Sequence, residues 1–454
     1  MAKAHLKDVI KLGSPLLAGI FAEYIMYIAD SVMIGRLGTD YLAAVAVGGI
    51  VAEMLWAFAW TTAPGTQALA SRRFGVQGEN SFEFTGQVID NGILFGVLVG
   101  FLAVIVSFWA RDFLSLLIKT PRTVKLGMEY ISILRWSMPI VAVYFAFYGF
   151  LAGINETKHL MYATIGTNAL NVALNYLFIY GKLGFPAMGI RGAALGTLLA
   201  QAAGLVYMFI LFRVSKKCKR YGLLKRNRLN KTLLRDIGRT WLPVTLQYLF
   251  SHGILLVYEG IISGFGTVYL AVFHIIFAVN WLGKSVSGAF AEGGAILVGN
   301  ALGKDDIKGA EKVIYVCFII GLIIGLAVFL LVMFVPGLLV RVFNSEAETL
   351  AVGISALRFF APFFFIASIG FTLEMIFSHN GWGRFVLLAD VIMSLLFTIG
   401  FTLGAVGLFD GQIRGGWLGY GLYLAAYTVV LVLGFYSRRW AHLKVDSAAV
   451  ENRE

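Results

Sequence analysis

The segment EYIMYIADSVMIGRLG, residues 23–38, lies within an apolar run long enough to cross a bilayer, yet it carries two carboxylates. Glu23 and Asp30 are seven residues apart, so they lie on one face of a helix, about two turns from each other. A carboxylate in hydrocarbon is costly and normally faces a bundle interior or a watery cavity. Asp30, deep in the run, is therefore predicted to be functional, whereas Glu23 also fits a solvated position near a helix end.

Composition indicates that the whole chain is a membrane protein. Of its 454 residues, 59% are hydrophobic and 14% are charged, and the mean hydropathy is +0.81. Continuous apolar runs recur along the chain, which argues against a transmembrane barrel of short alternating strands. The runs predict an all-α integral membrane protein with about twelve helices, near residues 8–34, 41–71, 86–109, 124–154, 158–181, 189–213, 236–263, 269–299, 311–336, 347–378, 384–404 and 414–437.

Much of the net charge of +12 lies in one loop, between the sixth and seventh predicted helices. Its cations are Arg213, Lys216, Lys217, Lys219, Arg220, Lys225, Arg226, Arg228, Lys231 and Arg235. A short basic loop between apolar spans is typical of the cytoplasmic side. Because the helix count is even and both ends are basic, we predict a multi-pass protein of the cell (inner) membrane with both termini cytoplasmic. The loop lacks interleaved aromatic residues, so no nucleic-acid partner is expected.

The chain contains an internal repeat. At an offset of 228 residues, Gly38 and Thr39 align with Gly266 and Thr267, and YLA from Tyr41 aligns with YLA from Tyr269. Later the offset becomes 223, and IRG from Ile190 aligns with IRG from Ile413. We therefore predict two parallel six-helix lobes related by a pseudo-two-fold axis along the membrane normal. The predicted parts are an N-terminal lobe (1–213), a basic cytoplasmic linker (214–235), a C-terminal lobe (236–437) and a cytoplasmic tail (438–454).

Motifs for enzymatic chemistry are missing from the sequence. There is no GxxxxGK[ST] run for nucleotide phosphates, no HExxH and no CxxC, and neither Cys218 nor Cys317 has the context of a disulfide or a metal site. We therefore predict that the chain is not an enzyme and needs no cofactor. Parallel lobes that rock about a shared cavity favour a secondary transporter driven by an ion gradient over a channel or a membrane receptor.

Four segments together resemble the multidrug and toxic compound extrusion (MATE) transporters. They are ADSVMIGRLG from Ala29, PGTQALASRRFGVQGE from Pro64, LNVALNYLFIYGKLGFPAMGIRGAALGT from Leu170 and AEGGAILVGNALGKDD from Ala291. The resemblance implies an antiporter that exports organic, often cationic, compounds in multidrug efflux while protons or sodium ions flow inward. It also implies two six-helix lobes around a V-shaped cavity that opens alternately to each side.

The resemblance implies a coupling site in the N-terminal lobe. The acidic residue of the family's first helix falls on Asp30, asparagines of the fifth helix fall on Asn171 and Asn175, and a threonine of the sixth falls on Thr197. Tyr27 is a further candidate hydrogen-bond partner of Asp30, which would be a metal ligand only if sodium is the coupling ion. The asparagines are four residues apart, on one helix face, where interhelical packing is an equally good explanation.

The C-terminal lobe departs from the family pattern. An acidic residue on the seventh helix of the sodium-coupled NorM branch falls near Ser251, and the tenth-helix aspartate of that branch has no clear match, although Glu374 lies about a turn and a half away. This favours a proton-coupled, DinF-like branch. We expect no bound metal beyond a transported ion.

Several polar residues are candidates for a substrate cavity. They are Glu259, His252, Glu374, Glu53 and Gln247. Glu259 and His252 are seven residues apart on one predicted helix, and Glu374 is the best candidate for binding a cationic substrate. The alternative is that Glu259 bonds to a neighbouring helix and His252 is a satisfied core residue. Asp90 and Asp390 lie near predicted helix starts, where capping or snorkelling explains them.

Aromatic and proline residues complete the set of candidates. Aromatic faces attract organic cations, but the same side chains also pack helices together; the candidates are Trp56, Phe58, Trp60, Phe359, Phe360, Phe363, Phe364 and Phe365. The prolines at matching positions of the repeat are predicted to bend their helices; they are Pro15 with Pro243 and Pro139 with Pro362.

The preferred function is export of small organic cations or drugs by a monomer in the bilayer. The alternative is a flippase of a related fold for lipid-linked saccharides or polymer precursors. A cavity lined chiefly by lysine and arginine would favour that alternative, because its cargo is anionic. The charges within the predicted spans are mostly acidic, which favours cationic cargo.

Overall fold

The computed structural model describes residues 2–76, 81–117, 120–225, 229–408, 413–443 and 445–446. Every regular element in these ranges is helical, which confirms the predicted all-α membrane fold. Arg226 and Arg228 of the predicted linker and residues 447–454 of the predicted tail lie outside the described residues.

The first half of the chain corresponds to six predicted helices, two of which are interrupted. Its helices are α1 (Ala2–Gly35), α2 (Thr39–Trp60), α3 (Thr62–Gly75), α4 (Ser81–Val106), α5 (Ala110–Leu117), α6 (Pro121–Leu134), α7 (Met138–Gly153), α8 (Thr157–Tyr180) and α9 (Ile190–Val214). The predicted second helix is divided at Thr61 into α2 and α3. The predicted fourth is divided into α6 and α7 just before Pro139, because proline lacks an N–H and is tolerated in the first turn of a helix.

The second half follows a short linker helix. The linker helix is α10 (Lys216–Lys219), and the helices of the second half are α11 (Lys231–Ser263), α12 (Thr267–Gly303), α13 (Ile307–Phe334), α14 (Pro336–Phe343), α15 (Ala347–Ser378), α16 (Gly383–Met393), α17 (Thr402–Leu408) and α18 (Ile413–Tyr436). A π-helical stretch, Ser394–Phe401, joins α16 to α17, so the predicted eleventh helix is continuous but locally unwound.

Ten helical segments in the described ranges are long and apolar enough to cross a membrane. Together with α2–α3 and α8, which fall outside that set, they account for the twelve predicted helices. The α8 helix carries three buried asparagines, Asn168, Asn171 and Asn175, which lower its apolar character. The α8 helix therefore contributes polar groups to the protein interior.

The chain divides into two compact units. The N-unit contains residues 15–245 with 303–305 and the described residues of the C-terminal segment 444–454; the C-unit contains residues 1–14, 246–302 and 306–443. Two of the boundaries fall inside helices at or near a proline, Pro15 in α1 and Pro243 in α11. Proline removes one backbone hydrogen bond of a helix, so it is a suitable place for a helix to change its packing partners.

One helix contact occurs twice, once in each unit. In the C-unit, a Cβ atom built at Gly293 of α12 would lie 2.9 Å from the backbone nitrogen of Gly13 and 3.1 Å from the carbonyl oxygen of Val9. In the N-unit, a Cβ atom at Gly65 of α3 would lie 3.2 Å from the carbonyl oxygen of Ile237. Adding 228 to 65 and to 9 gives 293 and 237, so the two contacts are equivalent positions of the repeat.

Aromatic side chains form much of the core of the C-unit. Phe360 and Phe364 of α15 are buried in one cluster, and the ring of Phe360 lies 6.0 Å from that of Tyr420 on α18. These two phenylalanines therefore pack helices together. Phe359 and Phe363 are partly buried against the same cluster.

A buried ion pair attaches the C-terminal segment to the N-unit. Arg73 at the end of α3 donates from Nε and Nη2 to the Asp446 carboxylate, at 2.5 Å and 3.0 Å. Its Nη1 donates to the carbonyl oxygen of Phe84 and to Gln87 Oε1 at 2.7 Å and 3.0 Å. Because every nitrogen of the guanidinium has an acceptor and both charges are buried, neither partner can be lost cheaply.

We expect Gly293→Ala to destabilise the protein because the added methyl group has backbone on its near side and cannot be accommodated by a side-chain rotation. The melting temperature in detergent measures the effect, and we expect a cost of about 1–3 kcal/mol. Gly253→Ala in α11 is the matched control, since a Cβ atom there meets nothing within 4 Å. Equal stability of the two variants would contradict the close contact.

We expect Asp446→Asn to lower the free energy of unfolding by about 3–5 kcal/mol, because it leaves the buried Arg73 charge without its counter-ion. Thermal unfolding of the purified protein measures the loss. Glu311→Gln is the control: it removes the carboxylate that binds Arg438, whose side chain is 67% exposed, so its cost should stay below about 1 kcal/mol. A larger loss of unfolding free energy in Glu311→Gln than in Asp446→Asn would disprove the importance of the buried pair.

Candidate functional site

A chain of hydrogen bonds in the N-unit joins α1 to α8 and α9. The Nδ2 of Asn175 donates to Asp30 Oδ1 at 2.8 Å and to Asn171 Oδ1 at 3.1 Å. The Nδ2 of Asn171 donates to Thr197 Oγ1 at 3.0 Å, and the Thr197 hydroxyl donates to the carbonyl oxygen of Ala193. The structure thus brings together four of the five residues predicted for the coupling site. We call these four residues the N-site.

Local sequence explains how the N-site is built. Asn171 and Asn175 are one turn apart on α8, so their amides stack and one can donate to the other. The facing residue on α9 is Gly196, where a Cβ atom would lie 3.0 Å from the backbone nitrogen of Asn175. A glycine at this position allows α9 to approach the amide closely.

One buried acceptor of the N-site is unsatisfied. Asn175 is 1% exposed, and its Oδ1 has no hydrogen-bond partner among the described residues. A buried acceptor without a donor costs about 1–3 kcal/mol, so a hydrogen bond to this oxygen would be favourable. The oxygen belongs to the residue that also holds the Asp30 carboxylate, and carboxylate and amide oxygens together are suitable ligands for a hard cation.

The fifth predicted coupling residue, Tyr27, lies apart from this network. Its side chain is 66% exposed, and the described part of the chain offers its hydroxyl no hydrogen bond. A different tyrosine, Tyr130 on α6, is in electrostatic contact with both Asp30 and Glu53. Glu53 of α2, which is predicted for the substrate cavity, therefore lies near the N-site, because Glu53 and Asp30 both interact electrostatically with Tyr130.

A second polar cluster lies in the C-unit and contains two carboxylates. The Nε2 of Gln247 on α11 donates to Glu374 Oε1 of α15 at 2.8 Å and faces Asp390 Oδ2 of α16 at 3.4 Å. The Asp390 carboxylate also accepts from Ser251 Oγ at 2.5 Å and from Tyr423 OH at 2.8 Å. We call Gln247, Ser251, Glu374, Asp390, Ser394 and Tyr423 the C-site; Ser394 Oγ donates to Asp390 Oδ1 at 3.0 Å.

The interpretation of Asp390 as a capping or snorkelling residue is wrong. The α16 helix begins at Gly383, so Asp390 is its eighth residue and lies beyond the first turn, whose free N–H groups a cap would satisfy. Asp390 is 2% exposed and bonds to side chains of α11 and α18. The sequence does contain a signal for it: Ser394 follows Asp390 at a spacing of four residues on the same face.

Asp90 has a different role from the one predicted as well. It is the tenth residue of α4, and its carboxylate accepts the backbone N–H groups of Leu224 and Lys225 at 2.6 Å and 3.3 Å. It therefore holds the linker between α9 and α11, and it does not cap its own helix. The periodicity of α4 gives no information about which loop of the chain will pack against it, so this contact could not be predicted from the sequence.

A lysine lies next to the C-site. The ammonium of Lys284 on α12 is 5.4 Å from the ring centroid of Phe371 and interacts electrostatically with Glu374. With one ammonium and two carboxylates, the ionised cluster keeps one negative charge in excess. Such a cluster is suited to take up a proton or a cationic ligand.

Glu259 and His252 contact different partners, as in the alternative in which Glu259 bonds to a neighbouring helix and His252 is a satisfied core residue. Glu259 Oε1 lies 3.9 Å from Nδ1 of His274 on α12, whereas Nδ1 of His252 is bonded to the carbonyl oxygen of Tyr248 at 2.9 Å. The two residues share a helix face, but a spacing of two turns is too long for direct contact. In the described ranges no group of three or more His, Cys, Asp or Glu residues is arranged to hold a metal ion, and Cys218 and Cys317 are both free thiols.

Comparison with known proteins identifies relatives over nearly the whole chain. The MatE family model matches residues 15–177 and 243–403. The chain is 25% identical over 455 residues to a probable multidrug resistance protein NorM of Idiomarina loihiensis, covering 96% of each protein. It is 23% identical over 444 residues to a protein of the same description from Agrobacterium fabrum, covering 95% of this chain and 94% of that protein.

Solved structures share the fold. A structure described as the outward-facing conformation of a multidrug resistance MATE family transporter has a TM-score of 0.86 at 23% identity, covering 97% of this chain and 96% of that one. A MATE structure in the straight conformation has a TM-score of 0.85, also at 23% identity, covering 99% and 97%. These relatives are membrane transporters, which are not enzymes.

Proposed function

The chain belongs to the MatE family of multidrug and toxic compound extrusion transporters, and from this we propose that it is a secondary antiporter exporting organic, chiefly cationic, compounds in exchange for inward-moving protons. The observation that carries the proposal is the N-site. No lysine or arginine of the described chain forms an ion pair with Asp30, whose hydrogen bond comes from a neutral amide. Its charge within a membrane helix is therefore uncompensated until a proton or a cation arrives.

The N-site suits both protonation states of Asp30. When the carboxylate is ionised, it accepts the hydrogen bond from Asn175 Nδ2. When it is protonated it becomes a donor, and the unsatisfied Asn175 Oδ1 is an acceptor on the same side chain, reached by rotation of that amide. A group that is satisfied in both states can bind a proton on one side of the membrane and release it on the other.

We favour the proton over sodium as the coupling ion. The N-site offers a single carboxylate and one unsatisfied amide oxygen, Asn175 Oδ1, while Asn171 Oδ1 and Thr197 Oγ1 already accept hydrogen bonds in the chain. A proton needs one carboxylate and one acceptor, whereas a metal ion needs several oxygen ligands at once. This agrees with the DinF-like assignment, which we keep as a proposal, and under sodium coupling Asp30 would be the principal ligand.

The C-site supports the choice of cationic substrates. When ionised, Glu374 and Asp390 of the C-site together with the neighbouring Lys284 keep one negative charge in excess, which favours a cation over an anion. Glu374 is the more accessible of the two carboxylates. It is only half-buried, whereas Asp390 is buried and enclosed by hydroxyl donors. We propose Glu374 as the group that meets the substrate and Gln247 as the residue that orients it. The roles of Glu259, His252 and Glu53 in a substrate cavity remain predictions.

A solved structure of the same fold bears on the charge of the cargo, which separates cation export from the flippase alternative. A MOP superfamily transporter from Pyrococcus furiosus, described as having a reversed polarity of its binding pocket that suggests a different function, has a TM-score of 0.84 at 23% identity. The match covers 97% of this chain and 96% of that one. Anionic cargo would need a cationic site, whereas the C-site has two carboxylates with a single ammonium, that of Lys284, beside it. We therefore keep the export of cations.

We propose the cell membrane, with both termini and the basic linker in the cytoplasm, from the charge distribution.

We expect Asp30→Asn to abolish gradient-driven export of a cationic dye, with a loss of at least about tenfold, because the amide neither binds nor releases a proton. Dye transport in vesicles with imposed proton or sodium gradients measures the loss. Asp8→Asn, the same change at an exposed position of α1, is the control and should transport as wild type. Unchanged export by Asp30→Asn under every gradient would contradict the proposal that Asp30 couples transport to the ion gradient.

We expect Glu374→Gln to weaken the binding of cationic dyes by about tenfold while changing the binding of neutral compounds little, since it removes charge and keeps shape. Equilibrium binding to the purified protein separates this effect from coupling. Glu348→Gln, at an exposed position in the first turn of the same helix, is the matched control. An equal loss for cationic and neutral compounds would rule out the role of Glu374 in charge selection.

A further inference from the structure

The segment between α9 and α11 is anchored to the N-unit at its first turns. Lys217 Nζ donates to Glu156 Oε1 at 2.7 Å, next to the start of α8. Cys218 is fully buried, and the ring of Tyr221 packs 5.3 Å from Phe82 of α4 and 5.4 Å from Phe150 of α7. A loop that only connected two helices would not need such contacts.

Side chains of α4 hold the later part of the same segment. Besides the two N–H groups that bind Asp90, the backbone nitrogen of Asn230 donates to Asn91 Oδ1 at 2.9 Å. Burial raises the pKa of Tyr221 to about 12 and also raises the pKa of the Cys218 thiol, so both anchors are neutral. The charge of the described segment therefore comes from its cations.

Most cations of the segment are exposed, although the guanidinium of Arg220 also lies 5.7 Å from the ring centroid of Phe82, one of the anchoring rings. Six of them are exposed and form no ion pair with a described residue: Arg213, Lys216, Lys219, Arg220, Lys231 and Arg235. The acidic groups that face the segment are paired with cations other than these six. Glu156 binds Lys217, Glu83 lies 3.9 Å from Lys225, and Asp236 lies 3.7 Å from Arg239. We call these six cations the basic platform.

Exposed apolar side chains lie among the cations along the chain. Val214 is 74% exposed, Leu224 is 57% exposed and Leu229 is 47% exposed. Exposed apolar groups next to lysine and arginine are typical of surfaces that meet the boundary between lipid headgroups and acyl chains. A surface for single-stranded nucleic acid would instead present aromatic side chains, and Tyr221, the aromatic residue of the described segment, is buried.

We propose that the basic platform is a preformed binding surface for anionic phospholipids. The cations pair with headgroup phosphates, and the neighbouring apolar side chains contact the upper part of the acyl chains. Because the anchors fix the backbone in advance, little ordering is needed when lipid binds. This inference does not depend on the proposed transport function.

The test uses the purified full chain in a neutral detergent, titrated with phosphatidylglycerol or phosphatidylcholine while thermal unfolding and lipid adducts in native mass spectrometry are recorded. We expect phosphatidylglycerol to raise the melting temperature and phosphatidylcholine to have no such effect. The variant K216Q/K219Q/R235Q should bind phosphatidylglycerol at least about tenfold more weakly and keep the wild-type melting temperature without lipid, because these side chains are exposed.

The matched control loses the same charge at the opposite ends of the helices. R111Q/K125Q/K182Q changes three exposed cations: Arg111 in α5 and Lys125 in α6, which follow α4, and Lys182 just after α8. The first turns of α4 and α8 contact the basic segment at the other end of these helices. It should bind phosphatidylglycerol as wild type does. Equal weakening in both triple variants, or an equal effect of the two lipids, would overturn the proposal. The proposal would also be overturned if inorganic phosphate raised the melting temperature as phosphatidylglycerol does. Tight binding of RNA by the wild type that K216Q/K219Q/R235Q loses would overturn it as well.

Discussion

A carboxylate between membrane helices must find hydrogen-bond donors, and this requirement decides which helices of the protein are linked through polar side chains. Asp30 is placed on α1 but draws its donor from α8, which is in turn bonded to α9. Asp390 is placed on α16 but draws donors from α11 and α18. Because apolar contacts between helices are not directional, these bonds specify a register that apolar packing leaves loose.

The two halves share a scaffold but not a chemistry. The glycine contacts at Gly65 and Gly293 repeat at the offset of 228, and so do the prolines of α1 and α11. The position equivalent to Asp30, at 30 + 228, is Tyr258, whose hydroxyl donates to the carbonyl oxygen of Gly416. The N-site acid thus has no copy in the C-unit, where the carboxylates occupy other positions. This asymmetry supports separate roles for the N-site and the C-site.

Prediction from sequence succeeded where the relevant geometry is local and failed where it depends on a neighbouring helix. The stacking of Asn171 and Asn175 follows from their spacing alone, so the pair could be anticipated. The partner of Glu259 could not, because His274 belongs to α12 and only the packing of α11 against α12 brings them within 3.9 Å. The hydrogen bonds of Asp390 could not be predicted either, because their donors, Ser251 and Tyr423, are far away in the sequence.

The sequence by itself determined the membrane class, the helices, the repeat and the family, because apolar run length, periodicity and motif order are properties of the chain alone. It also singled out Asp30, since an acid inside an apolar run is costly wherever the run packs. Only the tertiary structure decided that Gln247 lies between two carboxylates and that Asp446 binds Arg73, 373 residues away. The physical reason is that periodicity defines the faces of a helix, while the fit of side chains between helices decides which faces meet.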